Sequence, residues 1–109
     1  MKIALLVDER EKYDSPISWR LGDAPYIVIY DTEKKNLRFI PNPYTYQRGG
    51  VVHFLAAKLG QLGVKLLVTS KMPSKAKKFF DKENIEIKIV DGGITIKDAL
   101  EELNIKIEG

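Results

Sequence analysis

An unbroken apolar run near the start of the chain is the feature that most constrains the fold. Residues 3–7 are Ile, Ala, Leu, Leu and Val, and Asp8 ends the run. A strand that faces solvent on one side alternates apolar with polar residues, whereas a strand buried on both faces does not. We therefore predict that Lys2–Val7 forms a strand buried on both faces, as in the sheet of an α/β protein.

Two further β-rich runs lie close together and predict a hairpin. They cover residues 26–30 and 37–40, and the charged residues 31–36 form the turn between them. Strands joined by so short a polar connection normally pair antiparallel.

The second half of the chain alternates helices with strands. A helix is predicted where apolar residues recur on one face at helical spacing, at Val52, Leu55, Ala56, Leu59 and Leu62. Gly63 stands where a left-handed residue often ends a helix. The other predicted elements are a strand at 65–69, a helix at 73–82, a strand at 86–90 and a last helix capped by Thr95, with Asp98 as its capping-box partner.

The element order β-β-β-α-β-α-β-α leaves few topologies. Strands one, four and five should lie parallel through right-handed crossovers, and the hairpin reverses strand two. We expect a mixed five-stranded sheet in the order 3-2-1-4-5 with three helices, which is the ribonuclease H-like arrangement. The 109 residues form one domain, 1–109.

The composition of the chain excludes several kinds of site and partner. The chain has no Cys, which excludes disulfides, thiolate nucleophiles and Cys-ligated metals. A net charge of +3 is too mild to indicate nucleic-acid binding. No apolar run approaches the ~18 residues of a membrane span, and no apolar leader precedes the first strand, so we expect a cytoplasmic protein. The many Lys and Glu residues are typical of a thermophilic source.

The predicted topology also indicates where a site would lie. The loops that leave strands one, three, four and five begin at Asp8, Pro41, Ser70 and Asp91, and they share one edge of the sheet, here called the carboxyl edge. Ligands of open α/β sheets bind at such an edge. The first helix also begins there, after Gly49 and Gly50, and its free N–H groups suit an anion.

The individual candidates each have an ordinary alternative. Gly49 and Gly50 most often just let a loop turn into a helix. His53, the single His, has no metal-ligand partner three or four residues on, and such a residue is more often partly buried with one hydrogen bond. Asp8 and Asp91 are too few for the two-metal site of a nuclease, because Asp31 should lie at the opposite edge.

Several short motifs together resemble a known family. They are Asp14-Ser15-Pro16-Ile17-Ser18, Gly22, Ala24-Pro25-Tyr26, Asp31-Thr32, Asn42-Pro43, Gly49-Gly50, Leu62-Gly63-Val64 and Gly92-Gly93-Ile94-Thr95. This set resembles the NifX/NafY-like members of the dinitrogenase iron–molybdenum cofactor family, which also includes domains like the C-terminal domain of NifB. The resemblance covers nearly the whole chain and implies the same fold.

The resemblance also implies a function. Relatives of known role bind or carry the iron–molybdenum cofactor or its iron–sulfur precursor during nitrogenase assembly. Members of the family often have His where this chain has Arg20 and Arg48. Guanidinium groups do not ligate iron, but they hold anions through charge-assisted hydrogen bonds. An anionic cluster held electrostatically is therefore the ligand that the resemblance implies here.

These observations combine into one hypothesis with two alternatives. The chain would be a non-catalytic binding or carrier protein for an anionic iron–sulfur or iron–molybdenum cofactor-type cluster, bound transiently and absent after aerobic purification, with a metallocluster donor or acceptor protein as partner. The expected site residues are Asp8, Ser15, Arg20, Arg48, Gly49, Gly50, His53, Gly92 and Gly93. The alternatives are a small enzyme or regulator that acts on a phosphorylated metabolite or nucleic acid at the same edge, and a protein–protein docking module.

Overall fold

The computed structural model describes residues 1–44 and 51–107, and their secondary structure follows the predicted order. The strands are β1 (Lys2–Val7), β2 (Tyr26–Asp31), β3 (Asn36–Pro41), β4 (Val64–Thr69) and β5 (Glu86–Ile89), and the helices are α1 (Val51–Gln61), α2 (Ser74–Lys82) and α3 (Ile96–Glu102). A short 3₁₀ turn, Lys12–Asp14, follows β1. Pro73 is the N-cap of α2 rather than its first helical residue.

The five strands form one sheet in the order β3-β2-β1-β4-β5, which confirms the predicted topology. β2 is antiparallel to β1 and β3, and β4 is parallel to β1 and β5. Asp31 pairs with Lys2, at the start of β1, so it lies at the edge opposite the carboxyl edge as expected.

The sheet separates two apolar clusters, one on each face. Ile3–Val7 of β1 are wholly buried, and successive residues contribute alternately to the two clusters. Helices α1 and α2 cover one face through Leu55, Leu59 and Phe80. Helix α3 covers the other face. The two-sided burial of β1 explains why its sequence is apolar throughout.

Local signals set the ends of the elements. The Asp31 carboxylate accepts the N–H groups of Glu33 and Lys34 in the hairpin turn, and these bonds lower the pKa of Asp31. Gly63 follows α1 with φ +81°, a conformation that favours glycine. The Thr95 side chain accepts the Asp98 N–H at 3.1 Å and caps α3. No helix in the described residues is long and apolar enough to cross a membrane.

Candidate functional site

The carboxyl edge differs from the open crevice that strand order alone suggests, because residues 15–18, here called the plug segment, occupy it. β1 pairs with β4 only as far as Leu5. Beyond that point Ile17 bridges Val7, and Ser18 N–H donates to the Leu6 carbonyl at 2.8 Å. Since β2 pairs with β1 as far as Val7, the plug segment lies on the β4 side of β1.

The other side of the plug segment bonds to the chain just before α3. Ile17 N–H donates to the Ile94 carbonyl at 2.7 Å, and Gly93 N–H donates to the Ile17 carbonyl at 2.8 Å. Pro16 also bridges Thr95. Ser70 follows β4 directly, and its hydroxyl donates to the Ser18 carbonyl at 2.6 Å. The loop over residues 8–22 is therefore built into the edge of the sheet.

Ser15 lies inside this arrangement. Its hydroxyl oxygen accepts the Glu11 N–H, and its O–H donates to the Lys12 carbonyl, both at 2.7 Å. The residue is wholly buried. These bonds use the hydroxyl within its own loop. The structure therefore gives Ser15 a role in shaping the loop.

Gly92 and Gly93 lie beneath an aromatic side chain that the sequence did not single out. The Trp19 indole rests on them, and a Cβ atom at Gly92 would collide with the ring. Trp19 is nevertheless 67% exposed. The glycine pair thus supports a fixed, solvent-facing indole at the carboxyl edge. In the sequence, the one indication of this residue is that the single Trp of the chain stands between Ser18 and Gly22, which both belong to the family motifs.

Arg20 and Asp8 come together at the carboxyl edge, as expected, and they do so as an ion pair. The Arg20 guanidinium lies 3.5 Å from the Asp8 carboxylate and 3.8 Å from that of Asp23. The Arg20 side chain is 51% exposed, so both contacts are screened by water. An incoming anion would compete with two carboxylates for this guanidinium.

His53 is exposed rather than partly buried, and aromatic rings surround it. Its imidazole centroid lies 4.1 Å from that of Phe54 and 5.6 Å from that of Phe79. Tyr44 stacks on Phe54 at 6.1 Å. A shallow hollow of about 380 Å³ lies beside these rings, between the first turns of α1 and α2, with Lys75 on its rim. This part of the edge therefore combines apolar ring surface with one cation, Lys75.

Asn42 and Gly22 join the two loops of the edge. The Asn42 amide donates to the carbonyls of Gly22 and Ala24 at 2.9 and 2.8 Å. A Cβ atom at Gly22 would lie 2.8 Å from a methyl group of Val51, at the start of α1. The loop that follows β1 therefore contacts the start of α1. Arg48, Gly49 and Gly50 lie outside the described residues.

The described side chains do not form a metal centre. Residues 1–44 and 51–107 contain no group of three or more His, Asp or Glu side chains placed to hold a metal ion. The chain has no Cys. This donor set does not fit an iron–sulfur cluster ligated by the protein, which requires thiolates or imidazoles.

The fold defines a small ribonuclease H-like α/β domain. On the side where the carboxyl ends of its strands lie, Trp19 and Arg20 follow β1 and His53 is in the first turn of α1. The chain belongs to the family described as dinitrogenase iron-molybdenum cofactor, whose model matches residues 1–105. A comparison with curated protein sequences gave no significant match.

Three solved structures share the fold. The apo form of the orange protein from Desulfovibrio gigas is 20% identical, with a TM-score of 0.86 over 94% of this chain and 86% of that one. PH0822 is 20% identical, with a TM-score of 0.78 over 99% and 95% of the two chains. A proposed NifB protein from Thermotoga, of the DUF35 family, is 23% identical, with a TM-score of 0.76 over 99% and 98%.

Proposed function

We propose that this protein is a non-catalytic carrier for an anionic iron–sulfur or iron–molybdenum cofactor-type cluster, which it binds at the carboxyl edge. The family match over residues 1–105 carries the proposal. The name of that family refers to the cofactor. The orange protein, which has a similar fold, was solved in its apo form, a term for a protein without its ligand. A carrier must exchange its cargo, so the proposal includes a donor or acceptor protein.

The side chains of the edge favour a particular mode of binding. The cluster is cargo that retains ligands of its own, because the described residues supply neither Cys nor a convergent set of three donors. The protein would hold it through charge, through N–H donors and through apolar contact. Trp19 supplies an indole face and one N–H donor, and Arg20 supplies a guanidinium that can exchange its carboxylate partners for the cargo.

The remaining expected site residues are part of the same proposal. His53 can donate from its ring to a sulfide while it rests on Phe54 and Phe79. Arg48 and the N–H groups after Gly49 and Gly50 would hold the cargo from the other loop, on the strength of the sequence alone. The exposed His53 lies against carbon rings, which supports binding rather than general-base catalysis.

An anaerobic titration tests this function. The probe is a synthetic dianionic four-iron, four-sulfide cluster capped with thiolates. The sole Trp of the chain, Trp19, provides the signal, because such clusters absorb where indole emits. We expect quenching that saturates at one cluster per chain and iron that co-elutes with the protein in gel filtration. Neither quenching nor co-eluting iron would refute the carrier function.

Matched variants test the site. Arg20→Gln removes one guanidinium from the edge, and the cluster should bind about three- to tenfold more weakly, the lower figure allowing for the exposure of this side chain. Arg38→Gln removes an exposed guanidinium from the middle of β3 and should bind as the wild type does. If the double variant Arg20→Gln, Arg48→Gln bound the probe with unchanged affinity, the cargo would not be held at this edge.

A further inference from the structure

A second recess lies on the sheet face covered by α3, away from the carboxyl-edge site. It consists of two adjoining hollows of about 500 and 240 Å³, which share Tyr13 and Lys35. Phe39 lines the larger hollow and Lys106 the smaller. We call this recess the β3 groove. Its larger part has the size of a typical small-molecule site, about 300–1,000 Å³.

The β3 groove is lined by cations and by no acid. Arg10, Lys12, Lys35 and Lys106 all contribute to its walls, and no Asp or Glu does. None of the four forms an ion pair with any residue in the described ranges 1–44 and 51–107. Four like charges around one recess repel one another, and an anion placed among them would relieve that repulsion.

Two of these lysines have an unfavourable backbone conformation. Lys12 has φ +53° and Lys35 has φ +56°, in the left-handed region that favours Gly, Asn or Asp. The chain does use Asn at its other two described non-glycine positions of this kind, Asn84 and Asn104. Lysine therefore stands at the two left-handed positions that line the groove, where the backbone alone would favour asparagine.

The floor of the groove is aromatic. Phe39 and Tyr13 line the larger hollow, and the Arg10 guanidinium lies 5.8 Å from the Phe39 ring centroid. Partial burial and the neighbouring Tyr30 raise the pKa of Tyr13, so its phenol stays protonated at neutral pH and can donate a hydrogen bond. The groove thus combines ring surfaces with a cluster of cations and a neutral donor.

We propose that the β3 groove binds a nucleotide, with the planar base against Phe39 and Tyr13 and the phosphates among Lys12, Lys35 and Lys106. Rings stack on the bases of nucleotides, and guanidinium and ammonium groups bind their phosphates. A small molecule is favoured over an extended polymer because the cations surround one recess. The groove and the cluster carrier function are independent, since different residues on a different part of the surface form each.

Calorimetric titration of the whole chain with ATP, inorganic triphosphate and adenosine tests the proposal. We expect ATP to bind more tightly than either fragment, because each fragment meets only part of the groove. Binding should also weaken as salt is raised, since exposed charges are screened.

The variant pair is Lys12→Asn, Lys35→Asn. Asparagine suits both left-handed positions, so the fold should be retained while two charges leave the groove. ATP affinity should fall roughly tenfold, at a few-fold for each exposed contact. The control is Lys65→Gln, Lys82→Gln, which removes two exposed charges outside the groove and should leave the affinity within about twofold of the wild type.

Several results would overturn the proposal. Equal affinity for ATP and inorganic triphosphate would mean that the base is not recognised. An unchanged ATP affinity in the Lys12→Asn, Lys35→Asn variant would mean that the groove is not the site. A thymidine oligonucleotide that displaced ATP at far lower concentration would indicate a nucleic-acid surface instead of a nucleotide site.

Discussion

Trp19 shows how one residue can be held rigidly and still face solvent. A large aromatic side chain normally gains by burial, yet this indole is 67% exposed. It stays in place because the backbone of Gly92 and Gly93, without side chains, lets the ring approach closely. An exposed ring fixed in this way loses little entropy when a ligand or partner covers it.

Gly92→Ala should move that ring. The added methyl group would displace the indole, so we expect a change in the wavelength of Trp19 emission. Because the exposed ring can move aside, the free energy of unfolding should fall by no more than about 1 kcal/mol. Fluorescence spectra and chemical denaturation measure the two effects.

A double-mutant cycle isolates the contact between Gly92 and Trp19. In a Trp19→Phe background the smaller ring should leave room for the methyl group, and Gly92→Ala should then cost less. An equal cost in both backgrounds would show that the glycine is needed for a reason other than the indole.

The sequence predicted some residues of the edge and missed others for physical reasons. Asp8 and Arg20 were expected at one edge because topology alone brings a strand end and its loop there. Ser15 stays a predicted site residue; its hydroxyl bonds within its own loop, and no spacing in the sequence reveals such a local turn. Trp19 could not be assigned, because its support comes from glycines more than seventy positions away in the sequence.

Among the elements, those with a periodic pattern were predicted best. The predicted strands and helices agree with the structure to within one or two residues at each end. The plug segment falls in the loop predicted to leave strand one, and the sequence did not predict that it pairs with β1 on one side and residues 93–96 on the other. Such pairing depends on residues that are far away in the sequence. It leaves no alternation of apolar and polar residues within a stretch of only four.

Thr95 links the last helix to the plug segment. Thr95→Ala removes the N-cap hydrogen bond to Asp98, and we expect the free energy of unfolding to fall by about 1 kcal/mol. The backbone on both sides of Thr95 bonds to the plug segment, so a loosened cap should also quicken amide exchange at Ile17 and Ser18.

Thr95→Ser serves as the control, since serine caps helices as well as threonine does. It should leave stability and exchange close to those of the wild type. Stability unchanged in Thr95→Ala would mean that the cap contributes little to the fold.

At the scale of the whole molecule, the two proposed sites occupy different parts of the surface. Within the described residues, the Arg20 guanidinium at the carboxyl edge is already paired with Asp8 and Asp23, whereas the four cations of the β3 groove form no ion pair. Simple inorganic anions should therefore prefer the groove. A cluster with sulfide and thiolate surfaces has more to gain at the edge, where Trp19 and His53 provide aromatic contact.

The protein purified in air should contain less than one equivalent of tightly bound transition metal. The reason is the lack of Cys and the single His, which leave no four-coordinate site without unusual help from carboxylates. Elemental analysis after dialysis against a chelator measures this. Stoichiometric iron or zinc that survived the dialysis would contradict the expectation and would place a resident metal centre in the chain.

The bridge between Pro16 and Thr95 has a consequence for the order in which the protein is made. A ribosome releases residues 15–18 well before residues 93–96, which lie more than seventy positions later in the sequence. Until then the loop has no partner for the Ile17 N–H and carbonyl groups, and Trp19 has no glycine backing. A nascent or truncated chain can therefore form the hairpin but not the carboxyl edge. Any ligand that binds at this edge should therefore bind only to chains that extend past residue 96.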